Sequence, residues 1–125
     1  MAALKSFEGQ QYLNIETFRK NGTGVKTPVW FAQDGEALLI WTEASSGKAK
    51  RIRSIEKVNI APSKGDGTPI GDWVAATARA DDYAGALEHV KGLMQKKYGW
   101  MFSAFSLMGR LRKNKYTAIR VEVKG

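Results

Sequence analysis

The most chemically suggestive stretch of this chain is a hydroxyl-rich helix start followed at once by cations. Ser45, Ser46 and Gly47 precede Lys48, Lys50, Arg51 and Arg53 in the run SSGKAKRIR. The first turn of a helix presents unpaired backbone N–H groups and the positive end of the helix dipole, so it attracts anions. A serine at the cap and cations in the next turn add donors and charge at the same place. The stretch therefore reads as a phosphate anchor, with a solvated basic helix face as the plain alternative.

Little else in the sequence carries reactivity of its own. His89 is the only histidine and lies among Glu88 and Lys91, and cysteine is absent. A catalytic triad, a thiolate metal site and a disulfide framework are thereby set aside. The carboxylates are scattered, and no pair is placed for acid–base work. The Gly-rich run SKGDGTPIG, residues 63–71, lacks the Gly-Lys-Ser/Thr of a nucleotide-binding loop. An enzyme with this inventory would have to borrow its chemistry from a cofactor.

The elements around the anchor read as β-structure. Residues 12–19 alternate, with Leu13, Ile15 and Thr17 on one face and Asn14, Glu16 and Phe18 on the other. Asn21-Gly22 turns the chain into a second strand, in which Lys26, Pro28 and Trp30 share one face and Val25, Thr27, Val29 and Phe31 the other. Pro28 donates no ladder bond and so suits an edge or a gap, and a gap beside a lysine and a tryptophan would admit a flat, charged ligand. Asp34-Gly35 reverses the chain into a nearly all-apolar third strand, Ala37 to Thr42, with the basic helix directly after it. A short strand is expected over Val58–Ala61, another, rich in small residues, over Trp73–Ala80, and a last one over Tyr116–Val123 with Thr117, Ile119, Val121 and Val123 inward. Asp81 and Asp82 are expected to cap a helix whose stripe is Tyr83, Leu87, Val90, Met94 and Tyr98, ended by Gly99. The pattern predicts a mainly β chain: an antiparallel barrel of six strands with two or three flanking helices.

A length of 125 residues fits one domain, 1–125, and supports a core without staples. The N-terminal apolar run is too short for a signal peptide, and no stretch is long enough to span a membrane, so a soluble cytoplasmic protein is the expectation. The formal charge of +8 favours anionic partners. Of the four tryptophans, Trp41 and Trp73 read as packing residues first. The apolar segment from Trp100 to Leu111 exceeds what one face of a small barrel covers, which points to a subunit interface.

TPVWF, a turn, WT, then SGKxKR, followed later by DWVAATARADD and KKYGW, resembles the deazaflavin-dependent branch of the pyridoxamine 5'-phosphate oxidase-like superfamily. The resemblance covers most of the chain and implies an FMN-binding split barrel, usually a homodimer with its cofactor site across two subunits. It implies that Ser46-Gly47-Lys48 is a Ser-x-Lys that binds the cofactor phosphate. It also implies that Thr42 turns its hydroxyl to the cofactor, and that Lys26 stands where the flavin oxidases carry an arginine. Lysine there keeps the charge and loses the bidentate fork. The expected cofactor-binding set is Lys26, Pro28, Trp41, Thr42, Ser46, Lys48, Lys50 and Arg51, with Trp100 lining the pocket of a partner subunit.

The function implied is hydride transfer to or from a small organic substrate with coenzyme F-420, the basic surface serving the phosphate and the poly-glutamate tail. FMN is the alternative on the same fold. A carrier that holds the cofactor or a tetrapyrrole without turnover is another, since fold does not fix function. A basic nucleic-acid-binding small barrel is the rival from a different class. Against it, the tryptophans sit in apolar strand contexts and no RNA-binding signature is present.

Overall fold

A computed structural model describes residues 2–81, 85–104 and 116–123. The chain runs α1 (Ala2–Lys5), β1 (Tyr12–Phe18), β2 (Gly24–Trp30), β3 (Ala32–Asp34), β4 (Ala37–Glu43), α2 (Gly47–Ser54), β5 (Lys57–Ser63), β6 (Val74–Asp81), α3 (Ala86–Tyr98) and β7 (Tyr116–Val123). The strands form one seven-stranded sheet in the order β2-β1-β5-β6-β7-β4-β3. Every neighbouring pair is antiparallel. Among the described residues no helix is long and apolar enough to cross a membrane.

The expected mainly β barrel is present, with seven strands among the described residues in place of six. The difference arises at Phe31, where the expected second strand breaks. Residues up to Trp30 pair with β1, and Ala32–Asp34 pair with β4. Tyr98 holds the break, because its hydroxyl accepts the Phe31 N–H at 3.1 Å and lies 2.6 Å from the Phe31 carbonyl and 2.7 Å from that of Gln11. It donates its one proton to these two oxygens in turn or shares it between them. The reversal also falls one residue later than the Asp-Gly reading. Asp34 pairs with Ala37, so Gly35 and Glu36 form the loop, Gly35 supplying the positive φ of 60°.

The sheet curls around an aliphatic core. Leu13 and Ile15 of β1, Leu38 and Ile40 of β4, Val58 and Ile60 of β5, Ala76 and Ala78 of β6, and Ile119 and Val121 of β7 are all buried there. Two short helices close it: α1 and its exit bring in Leu4 and Phe7, and α2 brings in Ile52. Each large apolar side chain so buried is worth about 1.5–3 kcal/mol. β4 is apolar throughout because both its faces are covered. Leu38 and Ile40 point into the curl, while Leu39 and Trp41 join a second cluster outside it under α3. The α3 stripe is Ala86, Val90, Met94 and Tyr98, spaced by four residues on one face.

The expected aspartate cap is not where α3 begins. Asp81 is committed to β6, paired with Ala118, and the helix starts after Gly85, whose φ is 87° and which makes no side-chain cap bond. Asp82 and Tyr83 lie outside the described residues, as do Phe105, Leu107, Met108 and Leu111 of the expected interface segment. Residues 63–71 fold back as an arm: Lys64 N donates to Thr68 O at 3.0 Å, and Ile70 N to Pro62 O at 2.8 Å. Trp73, read as a packing residue, is 36% exposed instead.

Candidate functional site

β2 and β3 end opposite edges of the sheet, so no ladder closes the barrel between β2 and the β3–β4 edge. A cavity of about 500 Å³ occupies this seam. β1 and β2 supply one wall with Tyr12, Pro28, Val29 and Trp30, and β4 supplies another with Trp41, Thr42 and Glu43. Ser46 and Lys48 enter from the start of α2, Met94 and Phe102 from beneath, and Tyr116 from the start of β7. Pro28 fits here because β2 is an edge strand, and the missing N–H leaves no ladder bond unmade on its open side.

Rings set the shape of the wall. Trp41 stacks on Tyr116 with centroids 3.9 Å apart and planes 13° from parallel, and Phe102 meets Trp41 edge-on at 5.0 Å. On the opposite side Trp30 stacks on Tyr98 at 4.5 Å, and Tyr12 meets Trp30 edge-on at 6.3 Å. Such pairs are stiff, with few torsions to lose, and they leave planar space beside them.

One end of the cavity is polar. The Ser46 hydroxyl caps α2 by accepting the Ala49 N–H at 3.2 Å. Lys48 Nζ donates to Thr42 Oγ1 at 3.0 Å, which leaves the threonine its own proton to donate. Burial is the main cause that lowers the Lys48 ammonium below the ordinary lysine range, and the nearby Arg51 charge adds to it against a smaller opposing pull from Glu43. An anion arriving beside Lys48 would relieve both penalties.

The expected residues divide into two groups. Pro28, Trp41, Thr42, Ser46 and Lys48 come together in the cavity wall, and Lys26, Lys50, Arg51 and Trp100 do not. Lys26 is exposed, its Nζ lying 5.0 Å from the centroid of the Trp73 ring. Lys50 is on the exposed side of α2. Arg51 turns back to the barrel, where its Nε donates to the buried Thr17 Oγ1 at 2.6 Å and pins α2 to β1. Trp100 is 79% exposed beyond the end of α3. The wall also holds Tyr12, Glu43, Met94, Phe102 and Tyr116, which the sequence did not single out for the site. Met94 was legible as part of a helix stripe. Tyr116 reaches the cavity only through the register that sets it opposite Glu43, which no local pattern reveals.

His89 lies outside this wall, on the exposed side of α3, with Nε2 3.0 Å from Asp34 Oδ2. Among the described residues no cluster of three or more His, Asp or Glu side chains is placed to hold a metal ion.

No family model and no curated protein matches the sequence. Solved structures do match the fold. A haem storage protein of Vibrio cholerae, HutZ, superposes with a TM-score of 0.73 at 12% identity, over 99% of this chain and 89% of its own. The chain has the split-barrel fold. A protein of Listeria innocua provisionally assigned as a pyridoxamine 5'-phosphate oxidase gives 0.69 at 10% identity, over 99% and 92% of the two chains. A structure named as an F-420 reductase gives 0.62 at 17% identity, over 98% and 93%. The split of this barrel is the β2–β4 seam, where the cavity lies.

Proposed function

We propose that this split barrel is an oxidoreductase that binds coenzyme F-420 in the seam and orients it for hydride transfer to or from a small organic substrate. The observation that carries the reading is the cavity itself: a slot between ring pairs, with a hydroxyl, an ammonium and a helix start at one end. Its volume is in the range of small-molecule sites. The donor set fits such a group, since Lys48, Ser46 and the first amides of α2 would hold a phosphate, Thr42 would donate to the ring edge, and Trp41 and Trp30 would flank the ring. When bound, the deazaflavin supplies the hydride chemistry. The protein orients it and keeps water from the slot. The net charge of +8 suits a poly-anionic tail, which favours F-420 over FMN. The F-420 reductase among the structural neighbours supports the same choice. A haem-holding role is disfavoured because the sole histidine lies off the cavity, bonded to Asp34.

Titrating tryptophan fluorescence with F-420, FMN and haem in parallel tests the cofactor. Lys48→Ala is expected to weaken F-420 binding about ten- to a hundred-fold, about 1.4–2.8 kcal/mol. Stability should hold, because the substitution also removes a partly desolvated ammonium. Equal binding by a folded Lys48→Ala protein would remove the anchor from this place. A nucleic-acid binder would instead lose affinity evenly for any lysine removed and show a steep salt slope.

The proposal includes a homodimer with the cofactor between subunits, since the seam opens outward and Trp100 and Met101 stand exposed close to Phe102 of its wall. Paired copies are the commonest assembly. Light scattering at micromolar concentration is expected to give twice the chain mass, and a monomer mass would exclude the shared site.

A further inference from the structure

The wall of the seam holds one charge that a phosphate site does not call for. Of the described residues that line the cavity, Lys48 and Glu43 alone are charged, and their signs are opposite. A tight turn sets them around one spot. Glu43 ends β4 directly after Thr42, and its carbonyl accepts the Ser46 N–H at 3.1 Å. The start of α2 then carries Lys48 back to the Thr42 hydroxyl at 3.0 Å. Arg51, outside the wall and bonded to Thr17, adds its field to that of Lys48. Among the described lining residues only Glu43 opposes an anion. Glu43 is exposed, so its field reaches the site partly screened by water.

We infer that Glu43 is a specificity-determining residue of the anchor, which discriminates against a doubly charged terminal phosphate in favour of a singly charged phosphate esterified on both sides. The inference rests on the reading that the seam holds a phosphate beside Lys48, and adds which kind of phosphate. A terminal phosphate, as in FMN, carries about 1.5–2 negative charges at neutral pH. The phosphate of F-420 is joined on both sides and keeps one. Repulsion from Glu43 grows in proportion to the ligand's charge, so it weighs about twice as heavily on the terminal phosphate. The second charge must also be stripped of more water to enter the slot. The carboxylate thus works against FMN more than against F-420, at the same end of the cavity where Lys48 draws both.

The test compares FMN with its phosphate monomethyl ester, which keeps the ring and the sugar chain and removes one charge. Both are titrated by tryptophan fluorescence at about pH 7.5, where the terminal phosphate is close to doubly charged. The proteins are the wild type, Glu43→Gln and Lys48→Ala, each checked for fold by circular dichroism. Glutamine keeps the size and an acceptor oxygen and loses the charge. Glu43→Gln is expected to tighten the ester about three-fold and FMN about ten-fold, because the lost repulsion counts about twice for the double charge. Salt at about 0.5 M should shrink that difference. Lys48→Ala is expected to weaken both ligands. If it does, but Glu43→Gln gives equal gains, no gain, or a loss for the two flavins, the role of Glu43 is overturned and the anchor stands. If Lys48→Ala binds both as tightly as the wild type, the anchor itself fails and the role of Glu43 falls with it.

Discussion

Inside the curl, Leu13, Ile15, Leu38, Ile60 and Ile119 meet side by side with almost no exposure, whereas outside it Trp30, Trp41, Phe102 and Tyr116 stand around open space. The same strand feeds both regions, since β4 sends Leu38 and Ile40 inward and Leu39 and Trp41 outward. Branched aliphatic side chains interdigitate and fill the volume between sheets and helices. Rings are rigid plates that pair face to face or edge to face, and a slot remains where no third ring completes the stack. The closed side thus maintains the fold, and the ring-lined side has room for a guest.

The contrast breaks most sharply from within. Ile60→Ala removes branched atoms from the sealed side and is expected to cost about 2–5 kcal/mol in denaturant melts. A loss below about 1 kcal/mol would mean that the interior is as loosely filled as the seam.

A smaller effect is expected at the boundary between the regions. Tyr98→Phe keeps the ring that stacks on Trp30 and deletes the hydroxyl that meets Phe31. It leaves a buried N–H without its acceptor, which costs about 1–3 kcal/mol. Thermal melts measure the loss, and near-ultraviolet circular dichroism should show the tryptophan environment changed.

The smallest effect is a pH dependence. Burial pushes the Lys97 ammonium down to about 8 in the folded chain, from the ordinary lysine value of 10.5. Between these values the unfolded chain binds more protons, so stability rises with pH. Below the folded value both states are charged and the burial penalty is present in full. Relative to Lys97→Met, the wild-type protein should gain stability from about pH 8 to about pH 10.5 and change little outside that window. Denaturant melts of both proteins at the two ends of the window check the sign.

Much of this arrangement was legible in the sequence, and the reasons for the gaps are physical. Alternation gave β1 its inward face, and the Ser46 cap and basic run placed α2, because both are local signals. The break at Phe31 was not legible, since a tyrosine sixty-seven positions away holds it. Arg51 shared charge and helix with Lys48, yet a hydroxyl on β1 drew it away from the seam. Trp73 and Trp100 looked like core or pocket residues because tryptophan usually is, and only the packed sheet shows them at the surface. The wall residues from β7 and beyond α3 depend on long-range register, which side-chain periodicity does not encode.

The position of β7 has a consequence for how the protein comes into being. The last of the described strands lies between β6 and β4. Until it is synthesised, β2-β1-β5-β6 and the β3–β4 hairpin are separate pieces with open edges, and contacts this distant in sequence form late. Tyr116, which begins β7, is also a wall of the seam. On the ribosome the barrel and its binding slot are therefore finished by the same strand, and a chain released before that strand would hold neither.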